Sequence, residues 1–359
     1  MEAYKLKNLR LKELGWQDFF KEQYEETNLE IARVVLQRNN LYRIINENGE
    51  YDAEVTGKFS FEATTKKDFP VVGDWVLIAN QSSLEEKGTN LFNARIHKVL
   101  KRKSAFIRQS AGIKLEEQVV ASNIDFVFLV NALNQDFNIR RIERYLLTAY
   151  ESGSTPIIIL TKRDLCDNPI EKIKQIENIT FGKVKIITIN NLNGDGLEEV
   201  KELIQVGSTI ALIGSSGVGK STLLNTLMGQ ELQKVSSIRE EDSKGKHTTT
   251  HRELFMLPNG GLVIDTPGMR ELQLYSGSNS IDETFSDIED LIVQCKFSNC
   301  THKNEPHCKI IEALNNGILD EGRYKSYKKI KKELKFQEKR NKESVKLKYK
   351  KISKRKNQN

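Results

Sequence analysis

Three groups of residues in this 359-residue chain have the types and spacing to do chemistry. The first is Gly214-Ser215-Ser216-Gly217-Val218-Gly219-Lys220-Ser221-Thr222, which satisfies G-x-x-x-x-G-K-[ST]. It follows the apolar run at 210–213 and precedes the helical pattern LLNTLMG, the strand, loop and helix setting that the motif requires. Its glycines let backbone N–H groups turn inward as an anion nest, and the helix start adds partial positive charge. Lys220 is placed to reach the β and γ phosphates of a nucleotide, and the Ser221 hydroxyl to ligate Mg²⁺. Downstream, GLVI at 261–264 delivers Asp265-Thr266-Pro267-Gly268 at a strand end. There Asp265 would support the Mg²⁺ shell, and the Gly268 N–H would meet the γ-phosphate.

The second group is Thr161-Lys162-Arg163-Asp164, after the apolar run at 156–160. It fits [NT]-K-x-D, in which a carboxylate accepts from guanine N1–H and the 2-amino group, whereas adenine presents an acceptor at that edge. Asp164 would read the base, and the Lys162 stem would cover its face. This element precedes the phosphate loop, the reverse of the ordinary GTPase order. Only 29 residues separate Asp265 from Cys295, too few for another strand, specificity loop, helix and strand. The base-reading half must come first, so the domain is a circular permutation, which preserves the sheet and moves the ends.

The third group is Cys295-x4-Cys300-x-His302-x5-Cys308, three thiolates and an imidazole, the donor set of a closed structural Zn²⁺ site. His307 is an alternative imidazole donor, and Cys166 reads as an ordinary buried thiol. Four cysteines in a chain this long do not make a disulfide scaffold.

These groups need elements to position them. Residues 1–30 read as a charged helical arm. Short alternating runs then follow (ARVVLQ, LYRIIN, DAEVTGKFSF, DWVLIAN, ARIHKVL), and about 80 residues suit a five-stranded OB-fold barrel better than a sandwich. Near-continuous apolar runs alternating with helical stretches over 113–275 predict an α/β domain with a mainly parallel sheet. Residues 276–322 hold the cysteine cluster and a short helical stretch, and 323–359 form a lysine-rich tail.

The runs QVVASNID, LNQDFNIRRIERYLLTAYESG, TKRDL, GSSGVGKSTLLN, GKHTTTHRELF and DTPGMRELQL, with the later cysteines, resemble the ribosome small subunit-dependent GTPase A family from about Ile31 to Tyr327. The resemblance implies an N-terminal OB-fold barrel that binds RNA, a central circularly permuted P-loop GTPase and a C-terminal zinc-binding α-helical domain with a basic tail. It implies one structural Zn²⁺ held by Cys295, Cys300, His302 and Cys308, with His302 preferred over His307. It also implies hydrolysis of GTP to GDP stimulated by the small (30S) subunit, late in that subunit's maturation. Residues 245–250 correspond to the first switch, where Thr249 is favoured over Thr248 and Thr250 to join Ser221 on Mg²⁺. Met269 stands where many GTPases carry a water-orienting Gln, so intrinsic hydrolysis is expected to be slow; His247 is the expected substitute and His251 the runner-up. The second guanine-contact loop departs from the usual Ser-Ala, with Asn190-Asn191 in its place. An rRNA-binding assembly factor with an unhydrolysed nucleotide is the alternative, and an ATPase is opposed by Asp164.

The formal charge of +7 divides unevenly: residues 323–359 carry 17 basic and 3 acidic side chains, leaving −7 for residues 1–322. The tail suits phosphate neutralisation as an aid to affinity, although a charge run of this kind is ordinarily a solvated segment. No stretch approaches the roughly 18 apolar residues of a spanning helix, and the charged N-terminus lacks a signal-peptide core. A cytoplasmic monomer, with no membrane partner, is the expectation.

Overall fold

The structure, a computed structural model, describes residues 10–24, 28–38, 41–80, 93–109, 117–190, 193–229, 252–265 and 278–356. Strands β1 (Glu30–Arg38), β2 (Leu41–Asn46), β3 (Gly49–Val55), β4 (Trp75–Asn80) and β5 (Ala94–Val99) form an N-terminal barrel. Its order is β1-β2-β3-β5-β4 and a β4–β1 pairing closes it, with β3 and β5 parallel and the other pairs antiparallel. An irregularity between Val34 and Leu36 bends β1, so that one strand pairs with neighbours on both sides of the closure. Alternation carries Val34, Tyr42, Ile44, Ala53, Val76, Ile78 and Ile96 into the barrel core.

Two local expectations change. The run GKFSF is not strand: helix α2 (Gly57–Glu62) replaces it, because the Thr56 hydroxyl accepts from Phe59 N at 3.1 Å and caps the first turn. The N-terminal arm is helical, among its described residues, only over α1 (Asp18–Lys21). Leu14 and Phe20 are buried and Trp16 packs edge-on to Trp75, so contact with the barrel sets the arm's path where helix propensity does not.

Arg33 of β1 lies beneath that arm, 1% exposed. Its guanidinium donates to the carbonyls of Leu14, Gly73 (3.3 Å) and Asn123 (3.2 Å) and to Thr209 Oγ1 (2.9 Å), and it sits over the Trp75 ring. Burial lowers its pKa to about 10, opposed by Asp125 and Asp74. Arm, barrel, linker and α/β sheet therefore share one cation. Arg33→Met should lower the unfolding free energy by about 2 to 4 kcal/mol, because it leaves buried acceptors unpaired. A urea midpoint that stays at the wild-type value would refute this.

A hairpin of β6 (Ala105–Gln109) and β7 (Glu117–Ser122) leads into the α/β domain. Its sheet runs β10 (Lys185–Thr188), β9 (Thr155–Thr161), β8 (Phe126–Ala132), β11 (Thr209–Ile213), β13 (Leu262–Asp265), β12 (Arg252–Met256). All are parallel except β12, which pairs antiparallel with β13 and, through Leu36↔Glu253 and Gln37↔Arg252, with β1 of the barrel. Barrel and sheet are thus continuous through one edge. The parallel strands are near-continuous apolar runs because helices cover both faces: α3 (Ile139–Ser152), α4 (Pro169–Thr180), α5 (Leu197–Leu203) and α6 (Lys220–Met228).

The C-terminal part is helical: α7 (Ser278–Thr284), α8 (Ser286–Val293), α9 (Lys309–Asn315) and α10 (Glu321–Lys356). Inside the basic run, Tyr324, Tyr327, Ile330 and Leu334 recur every three or four residues and are buried with Ile281, Phe285, Ile288 and Ile310. The start of the tail is therefore helix and core, while Lys325, Lys328, Lys329, Lys332 and Lys335 stay exposed. Leu147 of α3 joins the same cluster and docks this part on the α/β domain.

Candidate active site and metal centre

The carboxyl ends of β8, β9, β11 and β13 converge, which is where ligands bind in open α/β sheets. β11 runs into the loop 214–219 and α6 begins at Lys220. Gly214 is needed because a Cβ there would lie 2.4 Å from the Val130 carbonyl of β8. Gly219, at φ 99°, takes the left-handed turn that starts the helix. Val218 is buried, Ser216, Gly217, Ser221 and Thr222 are exposed, and Ser215 and Lys220 are half-buried. Lys220 Nζ donates to the carbonyls of Gly214 (2.7 Å) and Ser215 (2.5 Å), folding the ammonium across the loop.

At the end of β9, the buried Thr161 hydroxyl donates to the Val218 carbonyl at 2.5 Å. That bond ties the loop at 161–164 to the loop at 214–219 across 57 residues of chain. Lys162 adopts the left-handed conformation at φ 57°, and a 3₁₀ turn over Arg163–Leu165 leaves Asp164 exposed. Asp265 ends β13, the parallel neighbour of β11, and is half-buried. Asn190 closes a turn with Asp195, through its own N–H at 3.0 Å, and with the Gly194 N–H at 2.9 Å. His247, Thr248, Thr249, Thr250, His251, Gly268, Met269 and Asn191 lie outside the described residues.

Two polar clusters correspond to no sequence motif. Asp136, Arg141 and Ser215 meet at the start of α3. On the far side of that helix Arg323, 5% exposed, binds Asp287 through Nε and Nη2 (both 2.8 Å), Glu143 through Nη1 (2.9 Å) and the Thr284 carbonyl (2.9 Å). Arg140 also reaches Glu143, and Arg144 pairs with Glu333. Charge at i, i+3 and i+4 along IRRIERYL was the available hint, but it named no partner.

In the helical part, Cys295, Cys300, His302 and Cys308 bring their ligand atoms within 4.8 Å of one another, a group that could hold a metal ion. His302 Nδ1 lies 3.6 Å from Cys295 Sγ and 3.4 Å from Cys308 Sγ, and those two sulfurs are 4.0 Å apart. A tetrahedral zinc with Zn–S near 2.3 Å requires sulfur–sulfur edges of about 3.8 Å and slightly shorter sulfur–nitrogen edges, so the donors fit. Burial lowers the His302 pKa, which favours the neutral ring that ligates. The exposed His307 is outside the cluster. Glu305 braces the loop by accepting from Thr301 Oγ1 (2.5 Å), Thr301 N (2.8 Å) and Lys303 N (2.9 Å); the Thr301 hydroxyl and these N–H groups hold its carboxyl well below the usual range.

The chain matches the family model described as RsgA GTPase over residues 99–275, and one described as 50S ribosome-binding GTPase over 209–344. It is 44% identical over 330 residues to the small ribosomal subunit biogenesis GTPase RsgA 1 of Oceanobacillus iheyensis, covering 90% of this chain and 91% of that protein. The RsgA 2 protein of Lactiplantibacillus plantarum is 41% identical over 307 residues, 86% of this chain and 84% of its own. Among solved structures, YjeQ from Thermotoga maritima superposes with a TM-score of 0.62 at 27% identity, covering 85% of this chain and 98% of that one. YloQ, described as a circularly permuted GTPase, shares the fold at a TM-score of 0.59 and 23% identity, covering 88% and 99%. With nine-tenths of its length aligned at 44% identity, the chain belongs to the RsgA GTPase family and is a GTP-hydrolysing enzyme.

Proposed function

We propose that this chain binds the small ribosomal subunit late in its maturation, and that subunit-stimulated hydrolysis of GTP drives its release. The observation that carries the reading is the Thr161–Val218 bond, which makes one site of two loops whose order in the chain is reversed. Support for the partner comes from relatives of nearly full length whose names specify small-subunit biogenesis. In this reading the backbone of 214–219, Lys220 and Thr222 take the phosphates, Thr161, Lys162, Arg163 and Asp164 take the guanine, and Asp265 and Gly268 complete the γ-phosphate side. Ser221 and Thr249 would hold Mg²⁺, which shields phosphate charge, and His247 would orient the attacking water.

Cys295, Cys300, His302 and Cys308 would hold one Zn²⁺, whose task is to fix the helical part. The exposed lysines of α10 and the barrel would meet rRNA phosphates, with affinity falling as salt rises. No described helix is long and apolar enough to cross a membrane. A monomer acting in the cytoplasm fits this role.

The test is phosphate release titrated with purified small subunits, with large subunits as the control. A rate that small subunits leave unchanged would favour the unhydrolysed-nucleotide alternative. Equal subunit binding with GDP and a non-hydrolysable GTP analogue would sink the release step. Asp164→Asn should weaken guanine binding by about 100-fold, because the carboxylate that accepts two base N–H groups becomes an amide with one acceptor. Competition by GTP and ATP against a labelled guanine nucleotide measures it, and unchanged selectivity would remove Asp164 from the base site.

A further inference from the structure

The side chains of Asp136 and Arg141 have no part in the nucleotide contacts above, yet they meet the phosphate loop directly at the Ser215 hydroxyl. Arg141 Nη1 donates to Asp136 Oδ2 at 2.8 Å and to Ser215 Oγ at 2.8 Å, while Ser215 Oγ donates to Asp136 Oδ2 at 3.0 Å. Arg141 Nη2 adds a contact to Asp136 Oδ1 at 3.2 Å. Asn138 caps α3 by accepting from the N–H groups of Arg140 and Arg141, which fixes the backbone from which the guanidinium extends. The same helix is anchored on its opposite face by Arg323 at Glu143, and one turn further along by Glu333 at Arg144.

Ser215 is also one of the two residues whose carbonyls hold Lys220. A phosphate drawing Lys220 toward itself takes that bond away, and the triangle of side chains is then what holds the Ser215 side chain within a loop whose backbone is fixed elsewhere. An unneutralised carboxylate bonded to Ser215 would repel the nucleotide's phosphates, with water screening part of the effect because the Asp136 side chain is 42% exposed. Arg141 removes that repulsion, and Lys162 lies close enough to act on Asp136 in the same sense.

We infer that Asp136 and Arg141 are positioning residues for the phosphate loop: together they hold Ser215, and Arg141 cancels the carboxylate charge beside the anion site. This rests on reading the loop as the site of a nucleoside triphosphate and adds residues that the motif does not contain.

The test uses the full chain and fluorescent GDP and non-hydrolysable GTP analogue, with melting temperatures to verify folding. Arg141→Met should weaken both nucleotides by about three- to ten-fold, the scale of one solvent-screened charge beside a polyanion. The double variant Asp136→Asn/Arg141→Met should recover most of that loss, although it retains fewer hydrogen bonds than the single one. A merely structural role predicts the opposite order. Affinity unchanged in Arg141→Met, or a double variant as weak as the single, overturns the inference. Inorganic pyrophosphate, read by competition with whichever nucleotide the wild type binds, reports the anion site alone. The pair is therefore judged even if the base proves not to be guanine.

Discussion

Lys220→Ala is expected to weaken GTP binding by about 100- to 1,000-fold and to abolish subunit-stimulated phosphate release. The ammonium already spans the loop, held by the Gly214 and Ser215 carbonyls at 2.7 and 2.5 Å, so a small rotation delivers it to a phosphate without reorganising the backbone. What is lost is a charge-assisted contact of roughly 3 to 4 kcal/mol to an anion that the loop N–H groups alone hold less well. The loop itself should survive. Its shape is set by the close approach of Gly214 to Val130, by the left-handed Gly219 and by the Thr161–Val218 bond, none of which uses Lys220. The melting temperature should therefore stay near that of the wild type while nucleotide titration fails. Lys220→Arg keeps the charge but not the compact ammonium, and should recover little. An alanine variant that still hydrolyses GTP at the stimulated rate would show that this loop is not where the phosphates bind.

Cys308→Ser is the second large effect, and it falls on stability. Cys308 is 4% exposed, stands at the start of α9, and sits with Ile310, Ala313 and Tyr327 in the helical core. Structural zinc contributes about 10 to 16 kcal/mol of apparent binding free energy in peptides that have no other core. Here an apolar cluster backs the site, so the expected loss is a fraction of that, with the helical part opening before the rest. Zinc content should fall from about one per chain to near zero, and the thermal transition should split. Small-subunit affinity should fall with it, because the same core anchors the first turns of α10 and so aims its lysines. Full zinc content in Cys308→Ser, or a wild type that binds none, would overturn the assignment. His307→Ala, by contrast, should leave zinc content unchanged.

Much of the site could be read from contiguous residues. A phosphate loop is a matter of local backbone, with glycines where the chain must turn left-handed and a cation at the helix start, and all of it lies between Gly214 and Thr222. The order of the [NT]-K-x-D and G-x-x-x-x-G-K-[ST] motifs is equally plain, because order is a property of the chain and needs no coordinates. The alternation of the barrel strands and the apolar runs of the parallel sheet followed from burial on one face or on two. Spacing put two imidazoles within reach of three thiols. The fold brings only His302 among them and leaves His307 exposed.

What the chain order could not determine were contacts between residues far apart in it. GKFSF alternates like a strand, and a cap at Thr56 makes it a helix. Tyr324, Tyr327, Ile330 and Leu334 were hidden in a run of lysines, and their meaning depended on a core built from residues about 40 positions earlier. Arg33 finds Thr209 across 176 residues, Arg323 finds Glu143 across 180, and Arg141 finds Ser215 across 74. A charged side chain is stable when buried only if its acceptors arrive from elsewhere, and side-chain identity alone does not say from where. By itself, the sequence determined which chemistry this chain carries and in what order. Tertiary structure decided how the arm, barrel, α/β sheet and cysteine-bearing helices are held in one frame, because strand pairing at β1–β12, apolar contact at Leu147 and long-range burial of charge set that frame and no local pattern encodes them.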